Sequence, residues 1–81
     1  MIGSASEIGR AFGCIRIWRG YTQLKVARRM DCSANEICKL ETLGRILTPQ
    51  FIKRLRRVLD VSEAQVDEVI AAMRHELEGG R

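Results

Sequence analysis

Helix-start signals recur through this sequence of 81 residues, and apolar residues at helical spacing follow each one. Ser4 and Ser33 each stand three residues before a glutamate, which is the spacing of a capping box. Thr48 precedes a proline suited to the first helical position, and Thr22 and Ser62 are also good N-cap residues. No strand pattern competes with these signals. The sequence therefore predicts an all-α fold, a bundle of five short helices.

Each predicted helix has an apolar face that we expect to be buried, and the last helix is expected to run over about residues 63–77. Gly20 and Gly44 are placed to end the first and third helices. The residues of these apolar faces, in chain order, are Ile8, Phe12, Ile15, Trp18, Leu24, Val26, Ala27, Met30, Ile37, Leu40, Ile52, Leu55, Val58 or Leu59, Val66, Val69, Ile70, Met73 and Leu77. Met73 and Leu77 are expected to extend past the body as an exposed stripe.

Length and hydropathy indicate one domain that fills residues 1–81. Apolar residues make up 46% of the chain, enough to form a single small core. The longest uninterrupted apolar run, Val69 to Met73, is far below the roughly 20 residues of a membrane-spanning helix. The first residues lack the basic and apolar regions of a signal peptide, so we expect a cytoplasmic protein.

The charge is unevenly distributed along the chain. Residues 10–57 contain twelve Lys or Arg and three acids, a balance of +9, whereas residues 58–81 contain two basic residues and six acids, a balance of −4. A basic body with an acidic C-terminal segment suggests a surface for a polyanion and a second surface with another role. A basic surface that is merely solvated is the alternative.

Three cysteines, Cys14, Cys32 and Cys38, form no C-x-x-C pair, and their odd number argues against a disulfide framework or a zinc site. A redox switch at Cys38 is an alternative that only the neighbouring Lys39 favours. The single histidine, His75, has no triad or metal-ligand partners in the pattern. We therefore expect no enzyme, no metal and no cofactor.

The second and third predicted helices are separated by only Asp31 and Cys32 before the Ser33 cap. Two short helices with so tight a turn must cross steeply, which leaves the second one projecting from the body. Ala27 supplies a small residue at the crossing. Asp31 tolerates a left-handed turn, although less readily than glycine. Residues 22–41 thus predict a helix-turn-helix unit.

A set of residues from Ile8 to Ser62 carries a family resemblance. They are the run Ile8-Gly9 through Arg16, then Arg19-Gly20-Tyr21-Thr22-Gln23, Val26-Ala27, Ser33, Ile37, Leu40-Glu41 and Leu59-Asp60-Val61-Ser62. In this combination the sequence resembles the Xre family, the Cro and phage-repressor type of helix-turn-helix domain. The resemblance implies a lambda-repressor-like bundle whose second and third helices bind DNA. The sequence departs from the family at Asp31 and Asp60, where glycine is usual, and at Gly13.

The resemblance implies that the third helix enters the major groove and that Ala34, Asn35 and Lys39 read bases. Asparagine can bond adenine, lysine can donate to guanine, and a small alanine can meet a thymine methyl. Ordinary solvated helix surface is the alternative for Asn35 and Lys39. Glu36 could accept from cytosine, although its spacing from Ser33 favours a cap.

Phosphate contacts are expected around this helix. Thr22 and Gln23 begin the second helix, where free N–H groups attract an anion, and the family uses the Gln position in this way. Further candidates are Arg28, Thr42 and Arg45. For the cluster Lys53-Arg54 and Arg56-Arg57, phosphate binding and a solvated face both remain open.

Four further residues have expected structural roles. The resemblance implies that Arg16 pairs with Glu41, tying the first helix to the recognition helix. Trp18 and Tyr21 are expected to pack rather than to stack on bases.

The last helix is the expected dimerisation element, through Val69, Met73 and Leu77. A two-fold dimer would place two recognition helices about one DNA turn apart and predict a palindromic operator. The sequence therefore predicts a homodimeric regulator of transcription that binds double-stranded DNA without a cofactor. The alternative is a protein-interaction module of the same fold, such as an antitoxin or antiactivator, with a protein partner docked on the acidic last helix.

Overall fold

A computed structural model of the chain describes residues 1–45 and 47–79, with side chains described as far as residue 76. Within this range the chain forms five α-helices and no strand, which confirms the all-α prediction. The predicted dimer residue Leu77 lies outside the described side chains. The helices are α1 Ala5–Trp18, α2 Gln23–Met30, α3 Ala34–Leu43, α4 Pro49–Leu59 and α5 Glu63–Gly79.

The predicted N-caps start the helices. The side-chain oxygen of Ser4 accepts from the Glu7 amide at 3.2 Å, and that of Ser33 accepts from the Glu36 amide at 3.1 Å. Both glutamates return a bond to the cap amide, so both capping boxes are complete. The hydroxyls of Thr22 and Thr48 cap α2 and α4 by accepting from the amides of Lys25 and Phe51, without a return bond. Ser62 and Gln65 exchange reciprocal bonds at the start of α5.

Two aspartates end helices in the left-handed conformation. Asp31 after α2 has φ 57°, and Asp60 after α4 has φ 54°. The next amides, of Cys32 and Val61, donate back to Ala27 and Arg56 carbonyls at 3.0 Å, as in a Schellman motif. Aspartate tolerates this backbone better than most residues, so the two departures from the family's usual glycine leave the turns intact.

Arginines from neighbouring helices cap the same two ends. The guanidinium of Arg19 donates to the carbonyls of Leu59 at 2.9 Å and Asp60 at 2.7 Å, at the end of α4. Arg54 donates to the Met30 carbonyl at 3.1 Å, at the end of α2. Both satisfy carbonyls that the helix leaves without a partner and place positive charge at the negative end of a helix dipole.

The core is mostly aliphatic, with Phe12 as its single aromatic residue. Two residues of the predicted apolar faces lie on the surface instead: Trp18 is 71% exposed and Leu24 is 49% exposed. The predicted packing of Trp18 is therefore wrong: it is the last residue of α1, and most of its side chain is left in solvent. The buried set is Ala11, Phe12, Ile15, Val26, Ala27, Met30, Ile37, Leu40, Leu55, Leu59, Val66, Val69 and Ile70.

Helices α1 and α3 pack with their backbones in close approach. A Cβ at Gly9 would come within 2.0 Å of the Leu40 carbonyl oxygen, and one at Gly44 within 2.5 Å of the Ala5 backbone. Gly44 also ends α3 with φ 69°, a left-handed conformation that glycine adopts without strain. These two glycines seat α3 directly on α1 and fix the position of its outer face.

Candidate nucleic-acid interface

Helix α3 presents one polar face to solvent. Its inner side is held by Ile37 and Leu40, which are both fully buried. The exposed positions recur three or four residues apart, so they lie on one side of the helix. They are Asn35, Cys38, Lys39 and Thr42, followed at the last position of the helix by the exposed apolar residue Leu43.

Two of the three predicted base-reading residues, Asn35 and Lys39, lie on this exposed face. Ala34 is half-buried and packs against the core, so only part of its methyl group faces outward. The carboxylate of Glu36 accepts from the Ser33 amide at 3.1 Å, which engages it in the cap rather than on the outer face. Cys38 is exposed on the same face, one turn after Asn35, and was not among the predicted base-contacting residues.

Arg16 and Glu41 form the expected pair between α1 and α3. Nε of Arg16 donates to Oε2 of Glu41 at 2.7 Å, and Nη2 donates to Oε1 at 3.1 Å. The two side chains are 14% and 13% exposed. Nη1 of Arg16 also donates to the Tyr21 carbonyl at 2.7 Å. This bidentate bond therefore joins α1 to the end of α3 and to the loop before α2.

Gln23 joins the same network. Its side-chain amide donates to Oε1 of Glu41 at 3.1 Å, so one carboxylate accepts from both α1 and α2. A glutamine amide has two hydrogens, and this contact uses one of them. The interaction orients Gln23 at the N-terminus of α2, the position where a phosphate contact was predicted.

The other predicted phosphate residues differ in their surroundings. Arg28 and Arg45 are exposed. The Thr22 hydroxyl accepts from the Lys25 amide at 3.0 Å as the cap of α2. The Thr42 hydroxyl donates to the Cys38 carbonyl of its own helix. Thr22 and Thr42 are exposed where phosphate contacts were predicted, but each hydroxyl already makes a hydrogen bond to the backbone of its own helix.

The Tyr21 ring contacts two basic side chains of α2, one lysine and one arginine, to which the sequence analysis gave no role. Lys25 Nζ lies 4.8 Å from the centre of the Tyr21 ring, and the Arg29 guanidinium lies 5.1 Å from it. Both are within the range of a cation–π interaction. Tyr21 packs partly against the core, as predicted. The spacing of four and eight residues between Tyr21 and the basic residues 25 and 29 was the sequence signal for the two cation–π contacts.

The four residues of the basic cluster of α4 differ in their surroundings. Arg54 caps α2, so its role is structural. Lys53 and Arg57 are exposed. Arg56 is half-buried, and its Nε has no hydrogen-bond acceptor within the described part of the chain. The structure thus accounts for one of the four residues as part of the fold.

Other chemistry is sparse in the described residues. They contain no group of three His, Cys, Asp or Glu side chains able to hold a metal ion. All three cysteines are free thiols; Cys38 is exposed, and burial raises the pKa of the Cys32 thiol. Among the residues that the structure describes, no helix is long and apolar enough to cross a membrane.

Comparison with known proteins agrees with this geometry. A family model described as a helix-turn-helix domain, of the Xre/Cro-like type, matches residues 7–69. The chain therefore belongs to the helix-turn-helix domain family, and belonging to this family indicates DNA binding. No curated protein and no solved structure shows a significant match to the chain.

Proposed function

We propose that this protein binds double-stranded DNA sequence-specifically by inserting α3 into the major groove. The observation that carries the proposal is the outer face of α3, where Asn35 and Lys39 stand exposed on a helix held from behind by Ile37 and Leu40. Asparagine and lysine pair with the major-groove edges of adenine and guanine, and each good contact contributes roughly 1–3 kcal/mol of discrimination.

The surroundings of α3 suit a phosphate backbone. Lys25, Arg28 and Arg29 are exposed on α2, and Arg45 is exposed just beyond α3. The network of Arg16, Glu41 and Gln23 holds the start of α2 against the end of α3. Contacts from this basic surface would position the protein on DNA without reading its sequence.

We propose further that the protein regulates transcription in the cytoplasm as a homodimer on a palindromic operator. A two-fold pair of recognition helices reads two half-sites about one DNA turn apart. On α5, where dimerisation was predicted, Val69 is buried in the core of its own chain, and Met73 packs against that core while staying half-exposed. Repression or activation would follow from where the operator lies relative to a promoter.

Selection from a random pool of double-stranded DNA tests the proposal. The purified chain should enrich a sequence with two-fold symmetry, and fluorescence anisotropy should show binding to it at least 1,000-fold tighter than to a scrambled duplex, about the lower end for specific complexes. Affinity should fall steeply with added salt. Failure to enrich any sequence, or equal affinity for the enriched and the scrambled duplex, would contradict sequence-specific binding.

A further inference from the structure

A second basic surface lies between the end of α4 and the start of α5. A hollow of about 440 Å³ opens there, and its lining includes Lys53, Arg56, Arg57, Ser62 and Gln65. We call it the α4–α5 hollow. Its volume is within the range of roughly 300–1,000 Å³ that is usual for small-molecule sites. It contains three of the four residues of the basic cluster of α4, none of which has a role in the proposed DNA interface.

The α4–α5 hollow and α2 lie on different sides of α4. Arg54 donates to the Met30 carbonyl, so its side of α4 faces α2. At 3.6 residues per turn, Arg56 projects from the helix about 200° away from Arg54, toward the start of α5. DNA bound along α2 and α3 would have α4 between its phosphates and Arg56. This placement favours a small, freely diffusing ligand over the phosphates of the operator.

Arg56 has a charge that the fold leaves without a counter-charge. The other half-buried arginine of the described residues, Arg16, makes three hydrogen bonds to Glu41 and Tyr21. Arg56 makes none within the described part of the chain, and its Nε is buried without an acceptor. Burying an unpaired donor is unfavourable, and more so when the group is charged. An anion against this guanidinium would supply the counter-charge that the fold does not.

The start of α5 offers hydrogen-bond donors to the same hollow. The Ser62 hydroxyl accepts from the Gln65 amide at 3.1 Å, and the Gln65 side-chain oxygen accepts from the Ser62 amide at 2.8 Å. These bonds leave the hydroxyl hydrogen of Ser62 and the side-chain amide hydrogens of Gln65 available to a ligand. The positive end of the α5 dipole lies at the same place. The groups together suit an anion that is rich in acceptor oxygens.

The carboxylates near the hollow do not cancel its charge. Lys53, Arg56 and Arg57 give three positive charges against one negative charge from Asp60, a balance of +2. No ion pair joins Asp60 to these cations among the described residues. Glu63 shares a neighbouring hollow with Arg56, but its carboxylate pairs with the N-terminal amine at 3.0 Å. A balance of +2 suits a ligand with more than one negative charge better than a single carboxylate.

We infer that the α4–α5 hollow binds the diphosphate group of a small molecule, such as a nucleoside diphosphate. The guanidinium groups of Arg56 and Arg57 match the geometry of phosphate oxygens, and Lys53 adds a point charge. A single phosphate would fill only a small part of the hollow. Val61 lines it as well and gives an apolar contact for the rest of the molecule. The site does not include α3, so the inference does not depend on DNA recognition.

Inorganic pyrophosphate is the minimal probe of this site, and ADP carries the same group on a nucleoside. Isothermal titration calorimetry of the full chain at constant ionic strength should show one site for pyrophosphate. In ¹H–¹⁵N NMR spectra the amides that shift should lie between residues 53 and 66, with those of α3 unmoved. Binding of ADP at the same amides would assign the site to nucleotides, and binding of pyrophosphate alone would assign it to the free inorganic anion. Either result supports a diphosphate site.

Adenosine and citrate are the control ligands, because adenosine lacks phosphate and citrate is a multivalent anion without phosphorus. Both should bind about tenfold or more weakly than pyrophosphate, since arginine forks and the donors of α5 match phosphate oxygens. Equal binding of citrate and pyrophosphate, or amide shifts spread over every basic surface, would show a merely solvated basic face. Either outcome would overturn the inference.

The variant Arg56→Gln with Arg57→Gln should weaken pyrophosphate binding about tenfold or more, because both guanidinium groups are lost. Arg28→Gln with Arg29→Gln is the matched control, since it removes an adjacent arginine pair and the same net charge from α2. It should keep the pyrophosphate affinity within about twofold, because salt screens distant surface charges. Far-ultraviolet circular dichroism should match wild type for both variants. Equal losses in the two variants would reduce the binding to net charge and contradict a built site.

Failure of this inference is separable from failure of the proposed function. Scrambled duplex DNA that displaces pyrophosphate from the amides of residues 53–66 would make the hollow a DNA contact and overturn the inference. Specific operator binding by a chain that binds no pyrophosphate would also overturn it and leave DNA recognition standing. Pyrophosphate bound in the hollow of a chain that binds every DNA sequence equally would support the inference and contradict the proposed function.

Discussion

Gly9 of α1 lies directly against the main-chain carbonyl of Leu40 of α3, with space for a hydrogen but none for a methyl group. A Cβ at position 9 would stand 2.0 Å from the carbonyl oxygen and 3.2 Å from its carbon. Because the obstruction is backbone, no change of rotamer relieves it. The depth at which the proposed recognition helix sits on the body therefore depends on the absence of a side chain at Gly9.

Gly9→Ala should lower the free energy of unfolding by about 2–3 kcal/mol, since the two helices must separate to admit the methyl group. Urea denaturation followed by circular dichroism measures the change. Gly13→Ala is the control, because its nearest neighbour is the flexible Glu41 side chain at 3.3 Å. That variant should stay within about 1 kcal/mol of wild type, as alanine favours the helix. Equal losses would contradict the close approach.

Arg16→Ala or Glu41→Ala should each cost about 3–5 kcal/mol, because either change leaves a mostly buried charge without its partner. The double variant should lose much less than the sum, since no unpaired charge remains. A double-mutant cycle from urea denaturation gives the coupling energy. Additive losses would show that the 2.7 Å contact contributes little beyond the individual side chains.

The helix starts were predictable because capping is local. A Ser or Thr and the amide three residues later lie within one turn, so Ser33 and Glu36 carry their own signal in the sequence. The Arg16–Glu41 pair was reached through family resemblance, because nothing in a spacing of 25 residues reveals a contact.

Long-range packing was not predictable. Arg19 and Arg54 cap the ends of helices to which they do not belong, and these contacts exist only once α4 and α2 are placed. Trp18 fits an apolar stripe by spacing, yet a residue at the last position of a helix can extend past the core. Gly13 looks like a helix defect in sequence, whereas in the fold it faces the Glu41 side chain.

Glu7 links α1 to α5 through Arg74, and this contact predicts a pH dependence. Its carboxylate accepts from Arg74 at 2.6 and 2.8 Å, and chiefly for this reason its pKa is lowered from 4.5 to about 2. A lowered pKa stabilises the fold fully above pH 4.5, and the contribution is lost as pH falls toward 2.

Glu7→Gln should therefore melt below wild type at neutral pH, and the difference should shrink between about pH 4.5 and 2. Thermal denaturation of both proteins across this range tests it, because the other carboxyl groups titrate in both and cancel in the comparison. A difference that stays constant down to the acid limit would contradict the assignment.

Cys38 lies on the outer face of α3 beside Asn35 and Lys39, so bound DNA should shield its thiol. N-ethylmaleimide should label Cys38 first among the three cysteines, since Cys14 and Cys32 are half-buried and burial raises the pKa of Cys32. Peptide mass spectrometry should show slower labelling of Cys38 with operator DNA than with scrambled DNA. Equal rates would argue against α3 in the groove.

The central claim is that Asn35 and Lys39 read DNA bases. The variant Asn35→Ala with Lys39→Ala removes one amide and one lysine from exposed surface of α3. Its matched control, Gln50→Ala with Lys53→Ala, removes the same two groups from exposed surface of α4. Fluorescence anisotropy on the selected operator and on a scrambled duplex gives the ratio of specific to non-specific affinity for each protein.

The α3 variant should lose about 100-fold or more of this ratio, because each base contact contributes roughly 1–3 kcal/mol, while its melting temperature stays near that of wild type. The α4 control should keep the ratio, with at most a similar loss of affinity for both duplexes. An α3 variant that discriminates the operator as well as wild type does would contradict the account.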